Sequence, residues 1–328
     1  MVAVSTLDEA TGRNVSVLII CYARTKRVID LLNQLDQIGI SSIYIAVDGP
    51  KDSNIANLQS QLFDYLEKLP ANRRNGINLW RREHNLGVAV SVITAIDWFF
   101  SHVESGAILE DDLIIDNSFF PYLKASLEKF RHNSEIMLIS GNSLPQSNLN
   151  ADSAQLVSYP QTWGWGTWKD RWAQIRESAY DSSKLHAKKS FSPSLNFWSY
   201  GTRRVLRGQV DTWDIPLALF MFESSTFSIL PPVNLVSNVG VDAFATHTLR
   251  SDAFTYQPIN HLNRIPTFDV SKLRSEVPRN NKVLESQVFK IKWFHALLPI
   301  YSSLDSIRRR HLNLDPLQTR LERVKIPN

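Results

Sequence analysis

The stretch Gly106–Phe120, "GAILEDDLIIDNSFF", places three carboxylates, Glu110, Asp111 and Asp112, between two short apolar runs. A short apolar run bounded by turn-forming residues reads as a buried strand. In a parallel α/β sheet, ligands collect outside the carboxyl ends of the strands. "AILEDD" puts its acids at such an end. Carboxylates there suit a hard cation that bridges phosphates. The bland alternative is a solvated loop, or an N-cap for a helix begun near Asn117–Phe120.

The flanking segments set the fold class. "VSVLII" (15–20) and "SIYIAVDGP" (42–50) read as strands, the second ending in the turn signal Asp48-Gly49-Pro50. Between them Val28, Leu31, Leu32 and Leu35 have helical spacing, as do Leu58, Leu62, Tyr65 and Leu66 further on. "INLWRREHNLG" is a short strand and loop, Gly87 opens the helical segment "VAVSVITAIDWFF", and "EIMLIS" is another strand. Strands alternating with helices predict an α/β fold, a mostly parallel sheet flanked by helices. Past residue 141 the texture changes. Trp163, Trp165, Trp168 and Trp172 crowd one segment, residues 178–194 read as a loop or mobile helix, and "TFSILPPVNLVSNVG" supplies one more strand and a loop.

Composition narrows the classes. The 328 residues are 43% hydrophobic and 21% charged, with a net charge of +4. That excess fits an anionic substrate or membrane surface but is too small to indicate a nucleic-acid partner. A single cysteine, Cys21, excludes an internal disulfide and a cysteine-based zinc site. It points to a reducing compartment. The first fourteen residues lack a signal-peptide pattern. No run of about 18 apolar residues is present to span a membrane as a helix. A cytoplasmic protein is expected.

Several segments in order carry a resemblance: "CYART", "AVDGP", "RREHNLGVAVSVITAIDWFF", "ILEDDLIIDNSFF", "WGWGTWKDRW", "DTWDIPLALFMFESSTFSILPPVNLVSNVG" and "ATHT", from Val15 to Thr248. Together they resemble a GT-A-fold glycosyltransferase, in particular bacterial relatives of the animal enzyme N-acetylglucosaminyltransferase I. The resemblance implies a Rossmann-like domain over 15–250, with a nucleotide-binding half at 15–141 and an acceptor half at 142–250. Residues 1–14 and the basic segment 251–328 are then extensions. It implies a nucleotide-sugar donor, most simply a UDP-sugar, a divalent cation, Mn²⁺ or Mg²⁺, and a glycan or lipid-linked acceptor. Arg24, Asp48, Arg82, Asn85, Gly87, Glu110 and Asp111 would face the donor. Asp112 would ligate the metal, joined by His247. Asp214, just after Trp213, matches the position of the base.

Chemistry makes these roles reasonable. A departing diphosphate needs positive charge, which a cation on both phosphates supplies. The donor's phosphates provide most of the ligands, so one or two protein carboxylates suffice. Inversion needs a carboxylate near the acceptor hydroxyl, and "VDTWDIPLALFMF" offers Asp214, with Asp211 as the alternative. Each residue also has a plain structural reading. Asp48 forms a turn, Gly87 releases the chain into a helix, and Asp214 caps one ahead of Pro216. Trp165, Trp168 and Trp172, spaced i, i+3, i+7, form a core stripe if helical. Trp163 and Trp165, beside glycines, and Trp213 are instead expected on the acceptor side as an aromatic wall.

Two other classes compete. A sugar nucleotidylyltransferase shares the architecture, but "CYARTKRV" lacks the glycine-rich loop expected after its first strand. A non-catalytic carbohydrate-binding protein would not need both acidic clusters. The last 43 residues, 286–328, carry eight Lys or Arg and three Asp or Glu, with "WFHALLPIY" among them. Such a tail either contacts an anionic membrane face peripherally or docks as a helix with a solvated basic side.

Overall fold

The computed structural model describes residues 14–145, 152–184, 191–240, 258–298 and 314–327. The chain opens with β1 (Ser16–Cys21), α1 (Thr25–Ile38), β2 (Ile43–Val47), α2 (Ser53–Glu67), α3 (Ala71–Arg74), β3 (Ile77–Arg81), α4 (Val88–His102) and β4 (Ser105–Glu110). β5 (Leu113–Ile115), α5 (Phe119–Phe130), β6 (Ile136–Ser140), β7 (Gln155–Val157), β8 (Trp165–Trp168) and α6 (Lys169–Ala179) follow. Then come α7 (Pro193–Leu206), α8 (Asp214–Ser224), β9 (Phe227–Leu230) and β10 (Val236–Asn238). α9 (Val270–Val283) and α10 (Leu317–Glu322) lie beyond residue 250.

Eight strands form one sheet in the order β3-β2-β1-β4-β8-β6-β9-β7, and β5 pairs with β10 in a separate ribbon. β1 to β4 are mutually parallel, and only β7 and β8 oppose the common direction. The expected architecture is therefore the observed one. The central strands are apolar throughout because both faces are covered. Along β1, Val17 and Ile19 point into a cluster with α1, α2 and α5, while Leu18 and Ile20 point into one with α4, α6 and α8. This is the two-residue alternation of a strand read out on two helical layers.

The tryptophan spacing misleads. Trp165 and Trp168 lie on strand β8 and only Trp172 is on a helix, α6. All three are buried, so the core half of the reading holds and the helical half fails. The glycines beside them explain the error. Gly164 takes φ +59° to turn the chain into β8, and Gly166 in the strand lies against Leu123 and the Gly106 carbonyl. A Cβ there would meet both at under 3 Å.

The C-terminal segment, over its described residues, packs on the domain. α9 lies along β7 and α10 lies along α4. Leu273, Leu317 and Leu321 join the clusters on the sheet's two faces. Docking of α10 is hydrophobic, so its loss should be measurable in stability alone. Leu317→Ala is expected to lower the unfolding free energy by about 2–5 kcal/mol in urea denaturation. Leu314→Ala, at a half-exposed position, should change it by less than about 0.5 kcal/mol.

Candidate active site

The chain runs from β1 outward to β2 and β3, then returns to place β4 on the other side of β1. Such a reversal opens a crevice outside the strands' carboxyl ends. The "CYART" loop leaves β1 there and the acidic triplet leaves β4 beside it, with Glu110 opposite Ile20 in the register.

Asp111 ties the two ends together. Its Oδ2 accepts from the backbone N–H of Tyr22, Ala23 and Arg24 at 2.8, 3.3 and 3.2 Å. Its Oδ1 accepts from Arg24 Nη1 at 3.1 Å. Arg24 Nη2 continues to the Gly240 carbonyl at 3.1 Å. Both side chains are almost enclosed. The structure brings these two expected donor contacts together, but as partners of each other.

Asp112 is placed differently. β10 pairs with β5 and carries Asn238, Val239 and Gly240 across it. Val239 N–H donates to the Asp112 carbonyl at 2.9 Å. A Cβ at Gly240 would lie 2.3 Å from Asp112 Oδ2 and would force the carboxylate to shift. Arg24 Nη1 stands 3.8 Å from that oxygen. Among the described residues Oδ1 is buried and has no hydrogen-bond partner. Burial first, and then the charge of Asp111, push the Asp112 carboxyl up to about 6. An orphaned carboxylate oxygen beside further acids is the arrangement a hard cation relieves. Asp112 thus fits the ligand role, but as a single protein ligand. Among the described residues no group of three or more His, Cys, Asp or Glu gathers to hold a metal. His247, the second expected ligand, lies outside the described residues.

Glu110 ends β4 with its carboxyl hydrogen-bonded to no described residue. Burial, and then Asp112, Asp111 and Asp214, push its pKa well above the usual carboxylate range; Arg24 offsets this only in part. Asp214 thus lies close enough to Glu110 for their charges to interact. It is exposed and is the first residue of α8, while the cap position is Trp213. Its Oδ1 accepts from Thr212 Oγ1 at 2.5 Å. The capping role is excluded: no side chain caps this helix.

Asp211, the alternative base, is engaged elsewhere. Its carboxylate accepts from Val88 N–H at 2.8 Å and Ala89 N–H at 3.4 Å, capping α4 from outside. Arg320 of α10 donates to it through Nη1 and Nη2 at 3.0 Å. Gly87 adopts φ +79°, and a Cβ there would meet Asp211 Oδ2 at 2.4 Å. Asp211 is a structural cap, and Gly87 is required by both its backbone and this close approach.

Asp48 and Asn85 form one unit. Asp48 accepts from Leu86 N–H at 3.0 Å and from Asn85 Nδ2 at 3.0 Å. Burial outweighs these donors and lifts its carboxyl to about 6. Arg82 turns away from the crevice. Its guanidinium donates to Ser91 Oγ, Ser91 O and Thr94 Oγ1 at 2.8, 3.0 and 2.9 Å, inside α4, and lies over the Trp80 ring. The expected donor contact at Arg82 is therefore corrected: its fork is committed to a helix.

The aromatic wall is corrected too. Trp165 and Trp213 stack at 5.7 Å between centroids, both buried in the core, and offer no face to a sugar. Trp163 remains half-buried beside Gly164. Sequence reasoning missed Arg320, Asn238 and Gly240, which shape the site from far along the chain. Asn238 and Gly240 lay inside a recognised segment, "LVSNVG", but nothing local links them to Asp112. No local signal marks Arg320.

No family model matches the chain, and no curated protein matches it. Among solved structures, UDP-glucose pyrophosphorylase complexed with UDP-glucose is similar at a TM-score of 0.38 and 10% identity, over 66% of this chain and 89% of that one. A likeness of that size adds nothing to the topology described above.

Neighbouring acids should respond oppositely to neutralisation. Asp111→Asn breaks a buried ion pair and the amide cluster, and should cost roughly 3 kcal/mol at pH 7. Asp112 has a folded pKa of about 6 against 3.8 in the unfolded chain. The fold therefore holds the proton longer, and this residue's penalty appears as pH rises from about 4 to about 6. Asp112→Asn in EDTA should leave stability unchanged near pH 4 and raise it by up to about 3 kcal/mol at pH 7. Denaturant titrations at the two pH values check both expectations.

Proposed function

We propose that the chain is an inverting, metal-dependent glycosyltransferase of the GT-A type that takes a nucleotide-sugar donor, most simply a UDP-sugar. The supporting observation is the separation of carboxylates at the crevice. Asp112 keeps an orphaned buried oxygen on one side, and Asp214 stands exposed and uncommitted to capping on the other. The first suits a cation and the second suits a base. The sequence resemblance assigns the same two roles to the same two residues.

Asp112 is the residue that would hold the divalent cation, and His247 is the proposed second ligand. With the donor's phosphates in place, Mn²⁺ or Mg²⁺ supplies positive charge to the leaving diphosphate. The remaining work falls to the chain itself. Asp111 and Arg24 fix the β1–α1 loop against the triplet. Glu110, at the end of β4, is proposed to face the nucleoside or donor sugar, where its carboxyl can accept from hydroxyls. Asp48 and Asn85 hold the 85–87 loop that borders the donor side.

The acceptor hydroxyl attacks the anomeric carbon as the bond to the diphosphate breaks. Asp214 takes the hydroxyl proton, and the nucleoside diphosphate leaves with the bonding pair. A single displacement of this kind inverts the anomeric configuration. The acceptor is proposed to be a growing glycan or a lipid-linked sugar in polysaccharide synthesis, used on the cytoplasmic side.

A nucleotide-release assay over a panel of nucleotide sugars, with Mn²⁺ and with EDTA, tests the reaction class. Release that requires Mn²⁺ and an acceptor is expected. Pyrophosphate-dependent formation of a sugar 1-phosphate would instead identify a nucleotidylyltransferase. Asp214→Asn is expected to lower turnover by about a hundredfold while donor binding and Tm hold. Near-normal turnover in that variant would remove Asp214 from the mechanism.

A further inference from the structure

Arg320 lies on α10, late in the sequence, yet its guanidinium meets two segments that border the crevice. Nη2 donates to the Leu86 carbonyl at 2.8 Å, and Nη1 and Nη2 both donate to Asp211 Oδ1 at 3.0 Å. The arginine and the carboxylate are only 12% and 15% exposed. Leu86 is 234 residues away in sequence and Asp211 is 109. One planar fork thus joins the loop on the donor side to the segment that leads into Asp214.

Both segments pass on what the fork does to them. On the loop, the Leu86 N–H is held by Asp48 Oδ1 at 3.0 Å while the Leu86 carbonyl is held by Arg320. Val88 N–H then donates to Asp211 Oδ2 at 2.8 Å. Gly87, between them, is pressed against the pair: a Cβ there would meet Asp211 Oδ2 at 2.4 Å and Arg320 Nη2 at 3.0 Å. On the other segment, every residue from Asp211 to Asp214 is tied. Thr212 Oγ1 donates to Asp214 Oδ1 at 2.5 Å, and Tyr180 Oη donates to the Trp213 carbonyl at 2.9 Å. The Trp213 ring stacks on Trp165. A displacement of Asp211 is therefore carried to Asp214.

We propose that Arg320 is a positioning residue: its fork sets where the 211–214 segment, and with it Asp214, stands against the donor-side loop. That role rests on the reading of Asp214 as the base. α10 has an apolar anchor of its own, since Leu317 and Leu321 are buried against α4. A mostly buried ion pair adds little net stability over apolar packing, because desolvating two charges offsets their attraction; it fixes instead which groups meet. Placement matters for the reaction, since a shift of about 1 Å in a reacting group can cost on the order of a hundredfold in rate. The donor side keeps its own support, because Asp48 and Asn85 hold the loop without Arg320. Loss of the fork should therefore appear in kcat and not in the donor's KM.

Two variants of the full chain test this. Arg320→Met removes the fork at similar length, and Arg320→Lys keeps the charge without the planar pair of donors. Each is compared with the wild type in Mn²⁺-dependent transfer and in amide hydrogen exchange. Turnover is expected to fall about tenfold in Arg320→Met and about threefold in Arg320→Lys, with the donor's KM within about twofold of the wild type. Exchange in peptides covering 86–89 and 211–214 should quicken in both variants. A merely stabilising role gives a different pattern, a lower Tm with unchanged kcat at temperatures where the protein is folded. Wild-type kcat in a folded variant overturns the proposal, and Arg320→Lys supplies that measurement if Arg320→Met does not fold. A raised donor KM at unchanged kcat also overturns it, by placing Arg320 in donor binding. A wild type that transfers sugar from no nucleotide sugar would instead remove the proposed reaction. Exchange then decides the linkage alone, and unchanged rates in both peptides overturn it.

Discussion

A single carboxylate, Asp111, holds the crevice in shape. Three successive backbone N–H groups and one guanidinium converge on it across 87 to 89 residues of sequence. Such bonds to an ionised acceptor are each worth about 1.5–3 kcal/mol. They are made between the loop after β1 and the turn after β4, the two strands that flank the topological reversal. Without them three loop amides would lose their acceptor and Arg24 would lose its nearer carboxylate, which destabilises the fold.

That commitment explains the state of the other acids. Arg24 directs its charge chiefly to Asp111 and Gly240, so Asp112 receives only a distant share of it. Glu110 receives less again and feels three like charges. The fold thus concentrates negative potential at the crevice without neutralising it. The opposite treatment of Asp211, neutralised by Arg320 and two helix amides, shows that this chain pairs a buried carboxylate when it is only structural.

The C-terminal residues serve two ends of the molecule. α10 brings Arg320 to the Leu86 carbonyl at 2.8 Å and to Asp211, so the loop that Asp48 grips from one side is gripped from the other. The turn at Trp293–Leu297 packs on α7 through Asn196 and Phe197. Hydrophobic burial anchors both, through Leu317 and Leu321 in one case and Phe289 and Ile291 in the other.

Sequence alone determined the strand and helix identities around β1 to β4, because each depends on periodicity within a dozen residues and on turn signals such as Asp48-Gly49-Pro50. It also placed three acids at a strand's carboxyl end, since chain direction fixes that once the strand is recognised. Only tertiary structure decided what each acid does. Asp111, Asp112, Asp211 and Asp214 are chemically identical and lie in two short stretches. One is a clamp, one is orphaned, one is a cap and one is exposed, according to partners up to 123 residues away. The same reason hid Arg82's inward turn and the burial of Trp165 on Trp213. A side chain's surroundings are set by which distant segments pack against it, and no local pattern encodes those contacts.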